Sequence, residues 1–351
     1  MYTAIRPGQE WLDTNGKRIE AHGGKLFFEG GTFYWYGENK EKTDGKNSIW
    51  TYGIRAYSSQ DLYNWQDEGL IIPPNLEDEQ SNLHPNQRVD RPHILYNEET
   101  GKYVCWIKIS GDAACFVILT ADRLLGPYEV IKENYRPFGK KVGDFDLAVD
   151  EETKQAHLHF ESDHKNMTST ELTADYLDVK ADYVTNFDGM IPPFIREAPA
   201  YVKRNGRHYL LTSGLTNYVP NPSEAAIAAH HLGPYKVMGN LHPEDESRSS
   251  YNSQISGIFK HPEKDLYIAL ADRWVPDYVM TAERYDILSR VIAARFDERY
   301  TTTDEEKKQL MGSPILGNVD TSKANYVWLP IEWEGDRPII RWHEEWRIED
   351  Y

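Results

Sequence analysis

The sequence is short of cysteine, of positive charge and of long apolar runs, and each shortage excludes something. Only Cys105 and Cys115 are present, too few for a disulfide framework. They fall on the two arms of one expected hairpin, where a cross-strand disulfide is open but two buried free thiols are the simpler expectation. Lys and Arg number 39 against 56 Asp and Glu, a net charge of −17. That balance repels a polyanion and argues against nucleic acid as a partner. No run is apolar for long enough to span a bilayer. Residues 1–8 lack a basic segment followed by an apolar one, so the chain as written reads as cytoplasmic, although a trimmed secreted chain would look the same. A P-loop, a dinucleotide fingerprint and a G-x-S-x-G elbow are missing as well.

Aromatic residues are plentiful. They make up 13% of the chain, with 10 Trp and 23 Tyr, in a composition that is 40% hydrophobic and able to fill a core. Such rings suit a β-rich interior and equally a carbohydrate cleft, where flat faces stack on sugars. The pattern along the chain favours strands. Residues 21–28, a Glu29-Gly30-Gly31 turn, residues 32–38, residues 53–59 and residues 67–72 read as four antiparallel strands in about fifty residues, one blade of a propeller. The layout returns four times. Counted from a polar residue at the start of the first strand to a fixed place on the second, His22 to Tyr34 is 12, Asp90 to Tyr103 is 13, Asp144 to His157 is 13, Glu197 to Tyr209 is 12 and Gln254 to Tyr267 is 13. The reading is all-β: a five-bladed β-propeller over 1–351, one domain, with blades at roughly 20–75, 88–132, 142–182, 195–240 and 252–345. Residues 281–311 break the rhythm, and 303–310 read as a short, capped, exposed helix in an insertion of the fifth blade. Residues 325–330 and 339–343 supply that blade's outer strands.

The innermost strand of each blade lines the axis, so His22, Asp90, Asp144, Glu197 and Gln254 converge at one mouth of the channel. Carboxylates crowded into a partly desolvated funnel cannot all ionise independently, and one is pushed up and stays protonated. A protonated carboxyl beside ionised ones is what glycoside hydrolysis requires. The pairs His157/His159 and His230/His231 have no carboxylate or cysteine at metal-ligand spacing and read as structural.

The five-bladed layout, the run Ser58-Ser59-Gln60-Asp61-Leu62-Tyr63-Asn64-Trp65, the Asp144 segment and Glu197-Ala198-Pro199 resemble glycoside hydrolase family 43 over roughly residues 20–345. The resemblance implies Glu197 as general acid, Asp144 as the partner that raises its pKa and orients it, and hydrolysis with inversion. The family usually carries an Asp as base at the start of the first blade, where this chain has His22-Gly23-Gly24. That departure, with Tyr34-Trp35-Tyr36-Gly37-Glu38-Asn39, Asp90-Arg91-Pro92, Gln254 and Tyr326-Val327-Trp328-Leu329-Pro330, is similar to the exo-β-1,3-galactanase branch. There the resemblance implies that Gln254 holds the attacking water, with an imidic-acid form of its amide as one open route, and that a Glu usually stands in place of Asp90. An amide has little proton affinity, so Asp90 and then Glu38 stay open as the group that holds the water. No cofactor is implied, and a structural calcium in the channel is permitted rather than required.

Other residues carry two readings. Asp144 is either the inward carboxylate or a turn cap, with Asp146 then facing in. Gln254 doubles as a core amide. His22 suits a hydrogen-bonding wall, Thr216 a sugar hydroxyl or a plain strand position. Asp272, Trp274 and Trp328 either border the sugar or pack the fifth blade. The implied activity is release of terminal galactose from β-1,3-linked galactans or galacto-oligosaccharides, so the partner is an oligosaccharide or polysaccharide. The alternatives are an α-L-arabinofuranosidase or β-xylosidase of the same family and a non-catalytic sugar-binding propeller.

Overall fold

Short runs of β-branched and aromatic residues, each closed by a Gly, Asp or Asn turn, leave the chain no element longer than a strand for most of its length. The structure, a computed structural model, describes residues 1–310 and 319–351. Blade one comprises β1 (His22–Glu29), β2 (Thr32–Glu38), β3 (Ile54–Ser59) and β4 (Gln66–Ile72), and blade two β5 (Val89–Asn97), β6 (Lys102–Ile109), β7 (Cys115–Ala121) and β8 (Glu129–Tyr135). Blade three follows with β9 (Val142–Val149), β10 (Ala156–Ser162), β11 (Asn166–Leu172) and β12 (Val179–Asn186), and blade four with β13 (Arg196–Arg204), β14 (Arg207–Gly214), β15 (Glu224–Ala228) and β16 (Lys236–Asn240). Blade five holds β17 (Gln254–Lys260), β18 (Tyr267–Arg273), the two-residue β19 (Asn325–Tyr326), β20 (Leu329–Glu334) and β21 (Arg337–Ile340). Each sheet is antiparallel, and its strands follow chain order from the axis outward. The innermost strands touch in chain order, and the ring closes between β17 and β1. This is a five-bladed propeller.

Apolar side chains fill the seams between blades. The largest cluster joins blades five and one and contains Trp11, Trp35, Trp65, Trp328 and Trp346. Residues before β1 belong to this closure: Ile5 exchanges backbone hydrogen bonds with Trp346 at 2.9 and 3.0 Å, and Gly8 N–H donates to Tyr326 O at 2.6 Å. Cys105 and Cys115 are buried free thiols on β6 and β7. They are not opposite each other, since Cys105 pairs with Leu119 and Cys115 with Ile109.

The fifth-blade insertion carries the expected exposed helix, α2 in the order of the chain (Asp304–Gln309). It opens on a capping box in which Thr303 accepts from Glu306 N–H and Glu306 accepts from Thr303 N–H. It also carries a longer helix that the strand rhythm concealed, α1 (Ala282–Ala293), whose Tyr285, Leu288 and Val291 turn inward at three-residue spacing. No helix among the described residues is long and apolar enough to cross a membrane.

Candidate active site

The mouth of the channel is shaped by an irregularity that every blade repeats. The pairing between first and second strand slips just after the polar residue: between His22 and Lys25, Asp90 and His93, Glu197 and Ala200, and Ile255 and Gly257, with a matching slip between Phe160 and Ser162 opposite β9. Such a bulge re-aims side chains at the end of a strand. It lets the neighbours Asp90 and Arg91 both face the cleft. In blade one the extra residue is Gly23 at φ +61°, and a Cβ there would sit 2.4 Å from Glu38 Oε1, so only glycine fits.

The cleft has a volume of about 290 Å³, the small end of the range for ligand pockets. Of the residues singled out in the sequence, it gathers Glu38, Asp90, Asp144, Glu197, Gln254 and Trp274. Asp146, the rival of Asp144, lies one step deeper on the axis and is fully buried.

Burial pushes the Glu197 carboxyl well up, and the negative charges of Asp144 and Glu161 push it further, against the opposing pull of Lys108 and Arg91. Arg196, next to it in sequence, turns away to Thr212 and Glu224. Asp144 is also desolvated, but Arg91 and Lys108 outweigh burial and hold it well below the usual carboxylate range. Its Oδ1 lies 2.5 Å from Lys108 Nζ and 3.0 Å from Arg91 Nε. Two carboxyl groups in one cleft are therefore driven in opposite directions, one toward a neutral acid and one toward a fixed anion. Glu38 is raised mainly by burial, with Lys40 opposing and Asp90 adding to the rise. It accepts from Arg91 N–H at 2.9 Å and pairs with Lys40 at 2.7 Å. Trp50, Tyr218 and Trp274 form one aromatic wall, with ring centroids 6.0 and 5.5 Å apart.

Four residues expected at the sugar are placed elsewhere. His22 is completely buried, its Nδ1 2.9 Å from Asp272 Oδ1 and its Nε2 3.4 Å from Glu20, and these two carboxylates raise it against the cost of burial. Asp272 is occupied by that imidazole and by Gly23 N–H at 3.0 Å, so the pair braces blade one against blade five. The Thr216 hydroxyl donates to Val219 O at 2.6 Å and accepts from Asn221 at 2.6 Å, closing a turn. Trp328 lies 4.3 Å from Trp35 and 5.1 Å from Trp11, ring to ring, in the blade five–blade one core. His22, Asp272 and Trp328 are drawn away by partners from other blades, and Thr216 by its own loop in blade four.

Among the described residues no group of three or more His, Cys, Asp or Glu is arranged to hold a metal ion. The axis already contains a cation, the ammonium of Lys25 hydrogen-bonded to Asp146.

Trp50, Arg91, Lys108, Ser110, Tyr218 and Glu161 were not singled out as site residues. Part of that set had a signal. Opposite the five polar starting residues stand the ends of the second strands, Glu38, Lys108, Glu161, Ser213 and Asp272, a second polar set four or five residues beyond Tyr34, Tyr103, His157, Tyr209 and Tyr267. Trp50 and Tyr218 come from loops, where no periodicity points inward.

A propeller whose mouth holds one carboxyl pushed up, another held down and an aromatic wall has the parts of a site that cleaves sugars. The chain belongs to glycosyl hydrolases family 43, which its residues 25–296 match. Among solved structures it is similar to a family 43 β-1,3-galactosidase at 29% identity and TM-score 0.80, covering 100% of this chain and 64% of that one. A second β-1,3-galactosidase of the family, with galactodeoxynojirimycin, matches at 25% identity and TM-score 0.77 over 98% of this chain and 100% of its own. The exo-β-1,3-galactanase of Phanerochaete chrysosporium, with galactose, matches at 24% identity and TM-score 0.76 over 98% of this chain and 68% of its own, a likeness of fold. No curated protein matches the sequence.

Proposed function

We propose that this glycoside hydrolase acts from the chain end, with inversion, and releases terminal β-1,3-linked galactose. The observation that carries the reading is the opposed pair in one cleft: Glu197 pushed up by burial, Asp144 and Glu161, and Asp144 held ionised by Arg91 and Lys108. Glu197 is the general acid that protonates the leaving oxygen, and Asp144 keeps that proton in place until the glycosidic bond breaks. The small cleft supports action on a chain end, because it has room for few sugar rings. Trp50, Tyr218 and Trp274 offer faces for stacking on the sugar. The galactose preference is supported by the activity named for the similar family 43 β-1,3-galactosidase. It is also supported by the first blade, which presents the buried His22 where arabinofuranosidases and xylosidases of the family normally use an Asp.

Proton NMR of the protein with β-1,3-galactobiose or galactotriose tests both parts. Early α-galactose is expected. Silence on these substrates with turnover of arabinofuranosides or xylosides would reject the galactose preference, and early β-galactose would reject inversion.

A further inference from the structure

Gln254 is hydrogen-bonded at every place its amide offers. Its Oε1 accepts from Arg91 Nη2 at 3.1 Å and from Trp274 Nε1 at 3.3 Å. Both partners only donate, so they decide which end of the amide is oxygen. Its Nε2 donates to Glu197 Oε1 at 3.2 Å and to Ser213 Oγ at 3.0 Å. An amide nitrogen has no basic lone pair, and both acceptor positions of the oxygen are taken. An imidic-acid form would put a hydroxyl proton on Oε1, against two N–H donors. Position adds a second objection. Inversion needs the acid and the base roughly 6.5–9.5 Å apart, with the sugar carbon and a water between them. Gln254 and Glu197 are in direct contact on adjacent blades.

Asp90 differs on both counts. It stands on blade two, so blade three lies between it and the blade four of Glu197, and both carboxyl groups line the cleft. Its Oδ1 accepts from Trp50 Nε1 at 2.6 Å, and its Oδ2 accepts from the Ser110 hydroxyl with Lys108 Nζ 3.6 Å away. A carboxylate has about four lone-pair sites, so Asp90 is held in place and can still accept from a water in the cleft it lines.

We infer that Asp90 is the catalytic base, that Trp50 is its positioning residue, and that Gln254 positions the acid instead of activating water. This rests on the inverting-hydrolase reading above. In the step, Asp90 takes one proton from water while the water oxygen bonds to the anomeric carbon. The bond from that carbon to the leaving oxygen breaks, and Glu197 gives its proton to that oxygen. Gln254 Nε2–H then stabilises the Glu197 carboxylate that results.

The test is chemical rescue with sodium azide, which attacks the anomeric carbon without help from a base. It uses the glycoside that the wild type is first shown to cleave with inversion. Asp90→Ala is expected to lower kcat by about 10²–10⁴-fold. Azide should restore much of the loss and yield the glycosyl azide of inverted configuration, whereas Gln254→Ala should gain nothing from azide. Rescue of Gln254→Ala without rescue of Asp90→Ala, or wild-type turnover by the Asp90 variant, overturns the proposal. If Asp90→Ala does not fold, the isosteric Asp90→Asn takes its place, and more than a tenth of wild-type kcat would overturn the proposal equally. Trp50→Phe keeps the ring and removes the N–H; it should lower kcat roughly ten- to a hundredfold with KM within about twofold. A rise in KM alone would make Trp50 only a wall. Retention of configuration by the wild type would reject the inverting reading itself, and this assignment with it.

Discussion

The Glu197 carboxyl is pushed up by its surroundings, since a carboxyl of its type in water is ionised at neutral pH. Burial contributes most, and Asp144 and Glu161 add to it. An acid catalyst works only while protonated, so the alkaline limb of kcat/KM should follow Glu197. Asp144→Asn removes a neighbouring negative charge and should move that limb to lower pH. Lys108→Met removes a positive charge and should move it to higher pH. Glu197→Gln should lower kcat by about 10²–10⁴-fold with the fold retained. Limbs that stay put in both neighbour variants would show that another group donates the proton.

At the scale of elements, the seam between blades three and four stands apart. Its apolar cluster, built on Met167, Leu210, Ala226, Ala228 and Tyr235, is the smallest of those between blades. Histidines take the remaining space. His157 and His159 on β10 lie 3.0 Å apart, Nδ1 to Nε2. His231 stacks on His157 with ring centroids 5.0 Å apart and meets Glu171 at 2.9 Å, and His208 Nδ1 lies 2.6 Å from the Tyr201 hydroxyl. Burial holds His157 well below 6.5, with its histidine neighbours adding to the effect. Burial takes His159 down to about 3 against the pull of Asp146, and His208 down to about 4. The unfolded chain takes up protons below pH 6.5 that these folded imidazoles refuse, so stability falls as pH drops from about 6.5 toward 4. Each fully buried histidine contributes a slope of about 1.4 kcal/mol per pH unit in that window. Thermal unfolding from pH 7 to 4.5 should show this loss, and His157→Gln with His159→Gln should flatten it. His93 and His242, each lowered to about 4, supply a residual slope of the same sign. A variant as steep as the wild type would mean that the seam does not titrate.

At the scale of the molecule, one ion pair on the axis ties the blades together. Lys25 of blade one bonds to Asp146 of blade three, whose other oxygen accepts from Tyr201 N–H of blade four at 2.7 Å. His93 of blade two stands 3.3 Å from the same carboxylate. Blade five makes room with Gly257, where a Cβ would lie 2.9 Å from the Lys25 stem. Burial alone would raise Asp146, but Lys25 and His93 outweigh it and hold it low. Removing one partner of a buried pair leaves the other charge uncompensated, at a cost of about 3–5 kcal/mol. Lys25→Met should show such a loss in urea unfolding, and Lys25→Met with Asp146→Asn should lose less than the sum of the two single changes. Additive losses would mean that the two groups act independently.

The sequence by itself determined the strands, the five repeats and the polar residue that opens each one. Those features are local: an alternating strand, a glycine turn and a distance of 12 or 13 residues are all contained within about twenty residues. For the same reason Glu197 and Asp144 were legible, because each stands at a repeated place in its blade. Tertiary structure alone decided what each polar residue meets there. It set Trp50 on Asp90, Arg91 between Asp144 and Gln254, and Lys108 under Asp144. It also drew His22 and Asp272 to one another and Trp328 into the closing core. These contacts join different blades or a loop to a strand, and spacing along the chain carries no record of which side chains closure of the ring brings together.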